Sequence, residues 1–216
     1  MELDHVFILC DDGAPGAAAL QRLGIREGTS NTHPGQGTAC RRFFFANAYL
    51  ELVWVENDAE AGAGEAKRTR LLERSTLRHG GACPFGVIVR PTGETAGRMP
   101  FPTWAYAPSY FPPGFVLGVA EDTALSEPEI FLLPQPRAAG MLHQQPLDHA
   151  VPADTVRSVT ISGSVPEGLS PASRALVAAG IVRFEPAPAY TLRLDFADAP
   201  SSSADLRPEL PLILGW

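Results

Sequence analysis

Two strands that are otherwise fit for a core each carry one group able to do chemistry. "LDHVFILC", residues 3–10, holds His5, and "YLELVWVEN", residues 49–57, holds Glu51. An imidazole nitrogen and a carboxylate together suit a borderline or hard divalent ion such as Fe, Mn, Ni or Zn, and open positions on that ion would accept a substrate's adjacent oxygens. Such an ion polarises a carbonyl or acidifies a neighbouring C–H or O–H. His5 reads either as such a ligand or as a core histidine satisfied by a backbone carbonyl. Glu51 faces either an interior, where an unpaired carboxylate would be costly, or the solvent side of an edge strand.

Further candidates precede and follow Glu51. In "HPGQG", His33 and Gln36 bring donors and acceptors to a tight loop, and loops on a rigid scaffold often carry binding groups. Arg41 and Arg42 are consecutive on a strand and so point to opposite faces, which lets one of them reach inward to a carboxylate. Trp54, and the aromatic stretch "FPTWAYAPSYFPP" with Trp104, Tyr106 and Tyr110, can wall an apolar pocket with polar tips inside or simply pack the core. Lys67, Arg68, Arg70, Arg74 and Arg78 read as a solvated helix face. Cys10, Cys40 and Cys83 lack CxxC spacing and read as small buried thiols of a reducing compartment rather than a disulfide framework. GxSxG, P-loop and dinucleotide fingerprints are missing, "GAPGAAA" falling short of the required glycine spacing.

The elements that must position these groups follow from the hydrophobic pattern. Residues 3–10 alternate as a strand. "DDGAPGAAALQRLGI" carries a short apolar stripe over Ala17, Leu20 and Leu23 that Gly24 stops, which predicts a helix of two or three turns. "ACRRFFFAN" and "YLELVWVEN" read as adjacent strands joined by a tight turn. An acidic stretch and a basic helix-like run over residues 65–77 then lead to "FGVIVRP", "TWAYAPSYFPP", "FVLGVAED" and "EPEIFLLPQP", a second set of strands almost without a helix. "VRSVTISG" opens a third set. Its helix has Ser170 as N-cap, Pro171 at the first position and Gly180 as the stop.

Composition bounds the function classes. The chain has 216 residues, 45% of them hydrophobic, with 21 prolines and 20 glycines that favour short strands and turns. A net charge of -7 provides no cationic footprint for nucleic acid. Absence of an apolar run near the roughly 20 residues of a membrane span argues against a membrane role, and a cytoplasmic location is the expectation. Neither nucleic acid nor a membrane is thus an expected partner.

"LDHVFILC" with His5, the short helix ending at Gly24, "HPGQGTACRRFFF", and "LELVWVE" with Glu51 resemble the glyoxalase-like members of the vicinal-oxygen-chelate superfamily. The resemblance is strong over residues 3–57 and diffuse afterwards. It implies an α+β fold of repeated βαβββ units forming a curved, cup-like mixed sheet with helices outside. Residues 1–57 would be the first unit, 58–84 a linker with a helix, and 85–136 a second, helix-poor unit, so that 1–136 forms the glyoxalase-like domain. Residues 150–216 would add a third, partly degenerate unit that covers or extends the sheet.

The resemblance also implies a metal held by His5 and Glu51, Glu51 being catalytic. Glu129 matches Glu51 when "PEIFLL" is laid on "LELVWV" and would be the third metal ligand, whereas Gly86, Ser158 and Pro211 stand where other ligands would be. His33, Gln36, Arg41, Arg42, Trp54, Trp104 and Tyr106 are the expected substrate-binding groups. The function implied is binding of a small oxygen-bearing molecule as partner, with divalent-metal-dependent lyase, isomerase or dioxygenase chemistry. The alternative is a metal-free protein of the same fold that sequesters a small molecule. A homodimer is compatible with the resemblance, because paired-unit proteins of this kind often dimerise.

Overall fold

The computed structural model describes residues 1–138 and 140–216. The first unit runs β1 (Glu2–Leu9), α1 (Ala17–Leu23), β2 (Asn31–His33), β3 (Thr38–Phe44) and β4 (Tyr49–Val55). As the apolar stripe requires, α1 buries Ala17 and Leu20, and Gly24 ends it in the left-handed region at φ 90°. α2 (Asp58–Ala61) falls in the acidic stretch, and the basic run that reads as one helix is instead two short pieces, α3 (Gly64–Arg68) and α4 (Leu71–Leu77). Arg70 stands at φ 58° between the last two, a conformation that no helix continues through.

The second unit is β5 (Phe85–Arg90), β6 (Thr103–Tyr106), β7 (Leu117–Ala120) and β8 (Glu129–Leu132). The two units join in one curled eight-stranded sheet of order β2-β3-β4-β1-β5-β8-β7-β6. In each unit the first strand lies parallel to the last, β1 to β4 and β5 to β8, and the units meet through the antiparallel pair β1–β5. The second half therefore repeats the strand order of the first without its helix.

Alternation along these strands sorts the two faces. Phe7, Leu9, Val53, Ile88 and Phe131 point into the curl, together with Tyr106, Leu117 and Val119. Val6, Ile8, Leu50, Leu52, Val87, Val89, Ile130 and Leu132 point outward. Gly86, paired with Phe7, has no room for a side chain, since a Cβ there would fall 2.0 Å from the Phe7 ring.

A third segment covers the outward face. It contains β9 (Ser158–Gly163), α5 (Pro171–Ala178), β10 (Arg183–Pro186), β11 (Thr191–Asp195), β12 (Ser203–Asp205) and β13 (Leu212–Gly215), in a separate sheet of order β10-β9-β11-β13-β12. The Ser170 hydroxyl caps α5 by accepting from the Ser173 amide at 3.2 Å, with Pro171 in the first turn. The connectivity differs from that of the first unit, because β9 pairs in parallel with the next strand, β10, and not with a last one. Val159, Ile161, Leu192, Leu194, Leu212 and Leu214 share one core with the outer face of the curled sheet. Each such side chain contributes on the order of 1.5–3 kcal/mol by leaving water. No helix among the described residues is long and apolar enough to cross a membrane.

Candidate binding site

The site begins at an irregularity in β1. Between Leu3 and His5 the pairing with β5 shifts, so Asp4 is the extra residue of a bulge, and His5 turns into the curl with Phe7 and Leu9. Asp4 is itself buried, where a carboxylate persists only if it is paired. Its Oδ1 lies 2.6 Å from His5 Nδ1, and its Oδ2 meets the guanidinium groups of Arg90 and, at 3.1 Å, Arg137. Burial pushes the Asp4 carboxyl upward, but the His5 hydrogen bond and the neighbouring positive charges outweigh it and hold the group well below its ordinary range.

On the neighbouring parallel strand, β4 presents Tyr49, Glu51 and Val53 on the same face. Glu51 Oε2 is 3.6 Å from His5 Nε2, beyond a hydrogen bond, and Oε1 accepts from the Cys40 thiol at 3.6 Å, within reach for sulfur. Burial and the Glu51 charge push the Cys40 thiol far above its ordinary value, which keeps it a donor. The Tyr49 ring stacks on His5 at 4.2 Å, and burial raises its hydroxyl's pKa well above the usual value. Asp4, His5 and Glu51 thus form a line from the outer ion cluster to the cup interior.

The rim is tied together by a second network. Gln36 donates through Nε2 to the Thr38 hydroxyl at 2.8 Å, and its Oε1 accepts from both Tyr106 and Tyr110, at 3.2 and 3.1 Å. His33 Nδ1 sits 2.9 Å from the same Thr38 hydroxyl, and its ring lies 4.9 Å from that of Tyr110. Burial lowers the His33 pKa and favours its neutral form. The same cause raises Tyr110 strongly and pushes Tyr106 up to about 12, so both hydroxyls remain donors.

Between line and rim lies a cavity of about 160 Å³. Its polar walls are His5, Glu51, Tyr49, Arg42, Asn31, His33, Gln36 and Tyr110; its apolar walls include Phe7, Val53, Ile88, Phe111 and Phe131. Arg42 pairs with Glu51 across β3 and β4, which settles that it, and not Arg41, faces the cup. Its guanidinium is held to one side, donating to the Thr29 carbonyl at 2.6 Å and to the Thr29 hydroxyl at 3.1 Å.

Four expected groups lie elsewhere. Arg41 points outward and donates to Glu27 at 2.7 Å. Trp54 alternates away from Val53 and packs on the outer core. Trp104 lies under the Arg68 guanidinium at 4.1 Å, outside the cavity lining. Tyr106 braces the rim through Gln36 without lining the cavity.

Glu129 faces inward, but two strands separate it from Glu51, and it is taken by Arg74 at 2.9 Å. Arg74 is not the solvated residue its charge suggests. It is fully buried and also donates to the carbonyls of Cys83, Ala124, Leu125 and Glu127. Burial pushes the Glu129 carboxyl up to about 7 against the pull of that guanidinium.

Asp4, Tyr49 and Asn31 are site residues that sequence reasoning passed over. An acid directly before His5, in "LDH", was the available signal for the first. Tyr49 could have been placed by its spacing of two from Glu51. Asn31 lies in a segment whose turn-forming composition hides the short strand β2.

Residues 3–103 match the family model described as a glyoxalase-like domain. This stretch of the chain is a glyoxalase-like domain. Over nearly the full length, 99% of this chain and 97% of the other, the structure is also similar to the crystal structure of a hypothetical protein from Staphylococcus aureus. The TM-score is 0.52 at 12% identity, a likeness of fold alone. Among curated proteins nothing matches.

For the glyoxalase-like domain, a resident metal has to be tested against the donors present. His5 and Glu51 are two, and catalytic ions in proteins usually rest on three protein ligands. Among the described residues, no group of three or more His, Cys, Asp or Glu side chains is placed to hold an ion. The donor set does not fit a resident divalent ion.

A larger cleft, about 500 Å³, opens between the glyoxalase-like domain and the third segment, lined by Cys10, Arg78, His79, Tyr190, Arg207 and Glu209 among others. Its charged groups are already engaged, Arg78 with Asp11, Glu209 with Arg22 and Arg207 with Asp205. It lacks the convergence of buried polar groups that the cup has.

Proposed function

We propose that the protein is a metal-free small-molecule-binding protein of the glyoxalase-like fold, its ligand seated in the cup with a polar head toward His5 and Glu51. The observation that carries this reading is one cavity whose polar end is the His5–Glu51 pair and whose walls are Phe7, Ile88, Phe111 and Phe131. A few convergent polar groups in a largely apolar hollow are what orient and hold a small ligand. Its volume of about 160 Å³ is close to the roughly 150 Å³ of an apolar cavity that accepts benzene. The ligand is therefore about one ring in size.

Metal-dependent lyase, isomerase or dioxygenase chemistry would draw on the same two residues, so one experiment separates the readings. Thermal-shift measurements compare the wild type with a His5→Ala/Glu51→Ala variant, against Fe, Mn, Ni and Zn salts and against single-ring molecules, since a ligand that binds only the native state raises the melting temperature. The expectation is stabilisation of the wild type by a single-ring molecule, lost in the variant, with equal metal content in both purified proteins. Stabilisation by a divalent ion alone, lost in the variant, would overturn the metal-free reading.

A further inference from the structure

The polar atoms facing the cup differ in what they still have to offer. Gln36 donates one N–H to Thr38 and accepts from two tyrosines, and Tyr110 gives its hydroxyl hydrogen to Gln36. Arg42 is turned to the Thr29 carbonyl and hydroxyl. Glu51 Oε1 takes the Cys40 thiol. Among the described residues His5 Nε2 and Glu51 Oε2 make no hydrogen bond, nor do the Tyr49 hydroxyl, the Asn31 side chain and His33 Nε2, and the first two face each other at 3.6 Å.

The role of Nε2 is set from outside the cup. Asp4 lies between two guanidinium groups, which stay charged, so its carboxylate can only accept. At 2.6 Å from Asp4 Oδ1, His5 Nδ1 must therefore carry the hydrogen, and in the neutral ring Nε2 is then an acceptor. A second acceptor, Glu51 Oε2, faces it at 3.6 Å. Two lone-pair atoms at that separation repel a bare carbonyl or carboxylate oxygen, and a hydroxyl has one hydrogen for two acceptors. A single nitrogen with two hydrogens can come within about 2.9 Å of both. Three arginines, Arg42, Arg90 and Arg137, surround two carboxylates here, which favours a neutral nitrogen over an ammonium.

We propose that the cup takes a single-ring molecule bearing a neutral primary amino or amide nitrogen, whose two N–H groups bridge His5 Nε2 and Glu51 Oε2, and that Asp4 is the positioning residue that makes Nε2 an acceptor. This rests on the cup being the binding site.

The test uses the full-length protein with a chelator present and four ring-sized probes: aniline, its isostere toluene, phenol and benzoate. Calorimetric titration is expected to rank aniline first, about tenfold tighter than toluene, the scale of a pair of buried hydrogen bonds. Phenol should fall between them, and benzoate should not bind. Glu51→Gln, which turns one acceptor into a group that can also donate, should remove most of the preference for aniline over toluene.

Nitrogen-15 NMR of the His5 ring supplies a readout independent of ligand. The wild type should carry its hydrogen on Nδ1, and Asp4→Asn should shift the ring toward the Nε2–H tautomer, a change that mere loss of stability would not produce. Toluene binding as tightly as aniline would overturn the donor assignment and leave the cup as a binding site. Failure of every probe to bind would overturn both readings. An Nε2–H ring in the wild type would overturn the role given to Asp4 whatever the probes do.

Discussion

Asp4 carries more of the site than its place in a strand suggests. It fixes His5 from behind, and it neutralises Arg90 and Arg137, both largely buried. Its carboxyl is held below the ordinary value of 3.8 in the folded protein, so its contribution is present above that value and is lost as pH falls below it. Asp4→Asn should cost about 3–5 kcal/mol at neutral pH, the scale of leaving buried charge unpaired, and should flatten the loss of stability below pH about 4. Urea unfolding at pH 2 to 7 checks both. At the opposite side of the sheet, Arg74→Met strands Glu129, and its destabilisation of similar scale should be relieved in part by adding Glu129→Leu. Unfolding of the two variants side by side measures that recovery.

Glu51 and Glu129 show what residue-level reading could reach. Glu51 stood out as a single charge among apolar neighbours, and the cup brings it to His5. Glu129 is reached by laying "PEIFLL" on "LELVWV". Its partner, Arg74, lay 55 positions earlier in a run that resembles any solvated helix, so nothing local marked it as buried.

Among the elements, the segment over residues 107–116 closes the cup. Ser109 donates to the Pro34 carbonyl at 3.1 Å and Tyr110 to Gln36, while Tyr110, Phe111 and Phe115 pack as tilted rings in sequence. Gln36 is the common anchor of both tyrosines and of Thr38. Gln36→Ala should cost about 1–3 kcal/mol, because it leaves buried groups unsatisfied, whereas Tyr110→Phe should cost about 1 kcal/mol or less, since Gln36 keeps Tyr106. Hydrogen exchange over residues 107–116 should accelerate in the first variant and change little in the second. The longer strands and the helix α1 were legible from alternation and from Gly24, while the short strand β2 was not. The break at Arg70 was not, because a positive φ at a charged residue has no local sequence mark. Which arginine enters the cup was equally hidden, since it depends on the pairing of Arg42 with Glu51.

At the scale of the whole molecule, the curled sheet has two uses for its two faces. The inner face makes the cup, and the outer face is covered by the third segment through one continuous core. Glu127 adds a polar tie, accepting from the Ser170 amide at 2.8 Å beside the cap of α5. The full chain should therefore unfold in a single calorimetric transition, and a chain ending at residue 136 should be insoluble or lack a cooperative transition, as it would expose Val6, Ile8, Leu50, Leu52, Val87 and Val89 together. Two separate transitions in the full chain would contradict the shared core. The repeat of strand order between residues 1–57 and 85–136 was readable in the sequence. The third segment's own connectivity was not, because parallel pairing of β9 with β10 follows from packing against the outer face and not from a motif.

The account turns on the cup being where a small molecule binds. The most direct measurement is a crystal structure of the protein soaked with aniline in the presence of a chelator. The expected result is ring density against Phe7 and Phe131 with its nitrogen between His5 Nε2 and Glu51 Oε2. Ring density only in the cleft beside Tyr190 and Arg207, with none in the cup, would contradict it.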